Sequence, residues 1–473
     1  MRDFSPIRLS AGAGAALILA GAMVVAPLFL GAAVAAWTVT DTIPVSFDPQ
    51  GVAVDEARHT VYVTALNPPA VSVINGSTVT DSIPIESGPS GVAVDSGTHS
   101  VYVTSDGLVS VIDGTSGTVT DTIDVDPGAF QVAVDAGTHT VYVTHRDGNT
   151  VSVIDGDAAS VTGTITVGAN PHGVAVDAGT HRVYVANQDD DTVTVIDGGT
   201  ETVVATIAVG RAPSGVAVDP GTHTVYVANS GDNTVSLIDG TSGTVTGTVP
   251  VGNAPDGIAV DAVTHTAYVA NINGNTVSIL GGTAGTVIAT VPVGNAPHAV
   301  AVDPGTHTVY VASADGASVS VLADLPTITS GPPSAGVAGA AYTFTLTVSG
   351  IPTPVFRIGA GSLPLGLTLN SATGVISGVP AAAGATTVTI TVGSADGSAE
   401  SPTATATYTL TVSPAAAPPP KPAVPPVAPV QATPRPRLPA TGFDIVPVAA
   451  LGGVFTAAGV WLLVRRRRAP QRD

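Results

Sequence analysis

Cysteine is absent from the 473-residue chain, and lysine occurs once, at Lys421. The first absence excludes a disulfide framework, thiolate metal ligation and a cysteine nucleophile. Any exported fold built from this chain rests on packing and hydrogen bonds alone. Positive charge is scarce in the middle of the chain. Between Trp37 and Leu325, thirty Asp or Glu stand against Arg58, Arg146, Arg182 and Arg211. Such a domain repels nucleic acid and anionic lipid, so neither is expected as a partner. The acids fall mostly at turns, which suits a solubilising surface; attraction of cations or basic partners is the other use. Phosphate-binding loops, nucleophile elbows, zinc-protease helices and haem motifs are also missing. Alanine, glycine, proline and valine dominate instead, a bias expected of a GC-rich genome rather than of a function.

Both ends carry addresses. Residues 1–36 have the form of a secretory signal. Arg2 and Arg8 open it, an apolar run spans Ala11 to Ala33, and Ala33-Val34-Ala35 is a small-x-small cleavage site. The apolar run is long enough that an uncleaved anchor is the alternative. Residues 438–473 hold three parts in order. Leu438-Pro439-Ala440-Thr441-Gly442 comes first, an apolar span at 445–464 second, and the basic run Arg465, Arg466, Arg467 and Arg468 last. The span has bilayer length, and the basic run is a stop-transfer signal that stays in the cytoplasm. The order resembles the LPXTG sorting signal of sortase-anchored wall proteins of Gram-positive, here actinobacterial, cells. The resemblance implies that a sortase thiolate attacks the Thr441 carbonyl and releases Gly442 onward. An amine of the peptidoglycan then takes the acyl group. The pentapeptide is thus another enzyme's substrate, and the protein meets the membrane only through this tail before sorting.

Residues 37–325 are repetitive. Val-Ala-Val-Asp or a close variant recurs with its aspartate at Asp55, Asp95, Asp135, Asp177, Asp219, Asp261 and Asp303. A tyrosine follows each by seven residues, from Tyr62 to Tyr310, and a histidine by four, from His59 to His307. Each copy reads as four short strands, a to d. One clear copy gives Gly215–Asp219, Thr224–Asn229, Thr234–Asp239 and Thr244–Val251. Four strands in about 42 residues make a propeller blade. The chain enters this region in phase with strand d (Trp37 to Val45) and leaves it after strand c (Ser318 to Leu322). The first segment therefore supplies the outer strand of the seventh blade, closes the ring and removes an edge. Tyr-Val-Ala-Asn at Tyr184, Tyr226 and Tyr268 resembles the YVTN family of propeller repeats found in microbial surface proteins. Repeats one to three depart from it with Thr64, Thr104 and Thr144, and repeat seven has Ser313 in place of asparagine.

Residues 326–413 change character. The run from Leu363 to Pro380 (LPLGLTLNSATGVISGVP) resembles the Ig-like, cadherin-like domains of bacterial surface proteins, which implies a β-sandwich with a turn at Asn370–Gly374. Only Asp396 and Glu400 are acidic there, too few for a calcium cage. No cofactor is expected, with calcium or another divalent cation as the remote alternative. Residues 414–437, rich in proline and alanine, form a wall-spanning stalk that reaches roughly 75 Å at ~3.1 Å per residue. The fold class is therefore all-β: a seven-bladed β-propeller, then an Ig-like β-sandwich, between a signal and a transmembrane sorting tail.

The seven repeat histidines occupy hairpin turns spread around a ring, which argues against a shared metal. Positions that break the symmetry are more informative. At the connections leading into strand a stand Gln50, Ser90, Phe130, His172, Ser214, Asp256 and His298. His172, Asp256 and His298, with His145 and Arg146 in a neighbouring b–c loop, are the candidate binding residues at the channel mouth. Two histidines and an aspartate have the chemistry of a metal site or a weak acid–base pair. The expected function is non-enzymatic: a wall-anchored surface protein presenting the propeller for adhesion to a protein or glycan. The alternatives are a lactonase-like hydrolase and a structural surface-layer component.

Overall fold

The computed structural model describes residues 36–282, 285–350, 354–393 and 403–417. Residues up to 35 of the segment read as a secretory signal, most of the segment read as a stalk, the pentapeptide Leu438–Gly442 and the tail beyond it lie outside the described residues. Among the described residues there is no α-helix, so none long and apolar enough to cross a membrane. The chain is all-β. Seven four-stranded antiparallel sheets are followed by an Ig-like region.

The sheets are consistent with propeller blades and are called blades here. In the fifth, strand a is Pro213–Asp219, strand b Thr224–Asn229, strand c Thr234–Asp239 and strand d Thr244–Pro250. Strands b, c and d follow the sequence boundaries. Strand a starts two residues earlier than its apolar run, because Pro213 pairs with Asn229 across a bulge that ends at Val216. Burial does not alternate in strands b and c. Val225, Tyr226, Val227 and Ala228 are all buried. Both faces of these strands pack on adjacent blades, so apolar residues suit every position, while strand d faces solvent and tolerates threonine.

Contacts between blades repeat with the sequence. The Tyr184 hydroxyl donates to the carbonyl of Gly240 in the next blade, and Tyr62 does the same to Gly114. A Cβ at Gly240 would sit 2.7 Å from the Tyr184 hydroxyl oxygen, so glycine is required. Nearer the centre, inner strands crowd together. A Cβ at Gly215 would stand 2.2 Å from the carbonyl oxygen of Asp256 in the next blade. The threonines of the first three repeats also act between blades. The Thr64, Thr104 and Thr144 hydroxyls donate to the Ser90, Phe130 and His172 carbonyls of the following blades.

The seventh sheet is composite. Pro297–Asp303, Thr308–Ser313 and Ser318–Leu325 supply its first three strands, and Ala36–Pro44 pairs antiparallel with the third. Ile43 faces Val319 in that ladder and is 1% exposed. Trp37 meets Tyr268 of the sixth blade edge to face, with ring centroids 5.2 Å apart. The entry segment thus performs the closure that its phase implies.

The Ig-like region has its own core of Tyr342, Leu346, Phe356, Leu367, Ile376, Val388, Ile390, Val392, Tyr408 and Leu410. Gly384–Gly393 pairs with both Val355–Gly361 and Ala404–Ser413. Tyr342–Thr345, Val375–Gly378 and Leu367–Leu369 make a three-stranded sheet. The Asn370–Gly374 turn forms as its composition predicts. Asn370 Oδ1 accepts from the Ala372 and Thr373 amides, and Gly374 adopts φ +66° against the Phe356 ring.

Candidate binding site at the channel mouth

Two sets of polar side chains lie at opposite ends of strand a. The first begins with the repeat aspartates at its C-terminal end. Asp177 is typical. It is 1% exposed, its Oδ1 accepts from the Gly179 amide, and its Oδ2 meets Nδ1 of His223 in the next blade at 2.8 Å. Every repeat histidine does this. The series includes His99 to Asp55, His181 to Asp135 and His307 to Asp261. It returns to its start, because His59 of the first blade pairs with Asp303 of the seventh at 2.7 Å. Each histidine adopts a left-handed φ of 53° to 59°, which aims its ring back at the preceding blade. The hydrogen bond to Asp95 holds His139 above the ordinary imidazole range, and Asp135 does so for His181. This girdle is structural, as the turn positions imply. Its partners across blades could have been found from one signal: two complementary polar residues recur in fixed register at neighbouring turns.

The second set lies at the N-terminal end of strand a. Register shifts at Ala129/Val132, Pro171/Val174 and Pro255/Ile258 mark bulges that turn the intervening residues out of the ladder. The variable positions are therefore part of strand a rather than of the connection before it, except Ser90, which precedes the second blade's strand a at Val92. Gln50, Ser90, Phe130, His172, Asp256 and His298 line a cavity of about 170 Å³ where all seven inner strands converge. Ser214 turns away, its hydroxyl donating to the carbonyls of Ala228 and Pro255.

The candidate residues divide into three groups. Asp256 and His298 come together, with Nδ1–H donating to Oδ2 at 3.2 Å. This hydrogen bond raises the His298 pKa against the effect of burial. On another side, the Arg146 guanidinium carbon stands 3.3 Å above the Phe130 ring centroid. The Phe130 ring also meets His172 edge to face at 4.5 Å. His172 is 8% exposed, and burial pushes its pKa down to about 4, so its imidazole is neutral. No hydrogen-bond donor or acceptor among the described residues engages its ring.

His145 does not join them. It closes strand b of the third blade, is fully buried, and bonds Ser152 Oγ through Nε2 at 2.8 Å. That is the place of the repeat asparagine, since Asn187 Nδ2 bonds Thr194 Oγ1 and Asn229 Nδ2 bonds Ser236 Oγ in the same way. A residue type that suggests chemistry serves here as a strand-end clamp. Phe130 corrects the picture in the other direction. Its aromatic face organises Arg146 and His172, a role that its position in the variable series did not reveal. Among the described residues no three His, Asp or Glu side chains converge to hold a metal, so His172 does not complete a triad with Asp256 and His298.

Residues 325–413 match the family model described as "Putative Ig domain". That match sets the start of the Ig-like region one residue before Pro326. No curated protein matches the chain.

Proposed function

We propose that this protein is a sortase-anchored cell-wall protein whose head is a seven-bladed propeller of the YVTN kind, held out for binding or adhesion. The observation that carries the proposal is the order of parts along one chain. A secretory signal, a ring of regular blades, an Ig-like region, a Pro/Ala stalk and a Leu-Pro-x-Thr-Gly sorting signal follow one another. Each part has the position that a surface-displayed binder requires, with the head farthest from the attachment point. Regular blades with short turns favour a binder over an enzyme, because an active site tends to distort one or two repeats with inserted segments.

The anchoring is tested by replacing Thr441 with Ala, or deleting the sortase, and fractionating the cells. The protein is expected to leave the wall fraction for membrane or medium. Persistence in the wall after either change overturns the proposal. Binding by the head is tested on arrays of glycans and matrix proteins, and turnover of lactones with silent arrays would favour the hydrolase.

A further inference from the structure

We propose that the cavity at the centre of the ring binds a small organic monocarboxylate, gripped by Arg146 and oriented by His172 and the Asp256–His298 pair. The proposal deepens the reading of the head as a binder and gives that binder a low-molecular-weight ligand. Four observations support it. The cavity of about 170 Å³ is lined by residues that break an otherwise regular seven-fold repeat. His172 is nine-tenths buried, lines the cavity, and has no hydrogen-bond partner among the described residues. Buried polar groups without partners are rare and mark a place where something else supplies the bond. Arg146 does not itself line the cavity; it stacks, half-buried, on Phe130 of the cavity wall, and its buried Nε has no acceptor. Finally, this positive charge sits in a domain dominated by acids, so it is a local exception that singles out an anion.

The same residues set the ligand class. Guanidinium offers a planar fork of donors that matches a carboxylate. One full positive charge balances one negative charge, while a second carboxylate would face Asp256. A neutral sugar is disfavoured because the face of Phe130 on which it would stack is covered by Arg146. The neutral His172 imidazole, the Gln50 amide and His298 Nε2 remain to bond hydroxyl or keto groups beside the carboxylate. A hydroxy acid therefore fits better than acetate. The cavity is too small for a folded segment of another protein.

Titration calorimetry on the full chain in mild detergent tests this with D-gluconate, L-lactate and acetate as probes. D-glucose is the neutral analogue of gluconate and L-malate the doubly charged control. Gluconate or lactate is expected to bind at least tenfold more tightly than glucose and malate. Arg146→Gln should weaken that binding at least tenfold, and Arg146→Lys, which keeps the charge and loses the fork, by less. The unfolding transition of each variant reports its folding. Equal affinity for glucose and gluconate, no binding of any probe acid, or full affinity in a folded Arg146→Gln protein each overturns the proposal. Wall fractionation and macromolecule arrays read the parent proposal independently, so either can fail while the other stands.

Discussion

The girdle and the mouth use the same chemistry, histidine beside aspartate, at the two ends of one strand, and they use it to opposite ends. In the girdle, seven copies of one pair repeat without exception, each carboxylate buried and each partner drawn from an adjacent blade. At the mouth a single pair, Asp256 and His298, stands among residues that differ from blade to blade. In the girdle every repeat aspartate has its histidine. Variation leaves the His172 ring facing the cavity and the buried Nε of Arg146 without an acceptor. If the mouth binds a ligand as proposed, stability resides at one end of strand a and recognition at the other.

The most severe way to break the comparison is to open the ring that both regions share. Removing Ala36–Pro44 strips the outer strand from the seventh blade and exposes Val319 and Val321. The cost is expected to exceed that of Ile43→Ala, which alone should lose about 2–5 kcal/mol. Urea unfolding should show an early or multiphasic transition. A midpoint equal to the native one would refute the closure.

The next effect concerns acid. His172 takes up a proton near pH 4 in the fold, against about 6.5 in the unfolded chain. Its contribution is present above the unfolded value and is lost as pH falls through that interval, because the unfolded chain gains a proton that the buried imidazole refuses. The loss amounts to about 3 kcal/mol. His172→Leu should abolish that slope in urea midpoints measured from pH 7 to pH 4. The girdle has the opposite sign. His139 and His181 are raised, so their contribution is full below the unfolded value and fades as pH rises through the folded one. Replacing His139 with Gln should flatten the alkaline side of the profile and leave the acid side alone.

Single-site truncation sharpens the contrast further. Asp177→Ala removes a buried carboxylate that serves both its own turn and His223. It should destabilise by about 1–3 kcal/mol, while Asp256→Ala at the mouth should cost under about 1 kcal/mol. If the two cost the same, the division between the ends is wrong. Tyr184→Phe, which removes one hydrogen bond to Gly240, should cost about 0.5–1.5 kcal/mol in the same unfolding measurement.

Much of this architecture was legible in the sequence because the repeat fixes it seven times over. Strand boundaries for b, c and d, the composite last blade and the Asn370 turn follow from spacing and turn chemistry. The start of strand a did not, because a bulge carries no compositional mark beyond the Pro and Gly around it. The even burial of strands b and c comes from packing on both faces between adjacent blades, which a single exposed sheet would not give. At the mouth, His172, Asp256, His298 and Arg146 stood out as exceptions to the repeat. His145 stood out as well, and misled, because its type differs from the repeat asparagine while its hydrogen-bonding task is the same. Exception to a repeat identifies difference; burial and partners decide whether the difference is functional.

The composite blade also has a mechanical side. Ser318–Leu325 is not the outermost strand of its sheet, for Ala36–Pro44 lies on one side of it and Thr308–Ser313 on the other. In a protein tethered through its C-terminus, flow or a bound cell pulling on the head sends tension into the ring at Leu325. That tension runs lengthwise along a strand bonded on both flanks, so the hydrogen bonds are loaded together in shear rather than opened one at a time like a zip. If the protein is anchored as proposed, Ala36–Pro44 becomes the lock that resists the pull on the strand leading toward the C-terminus.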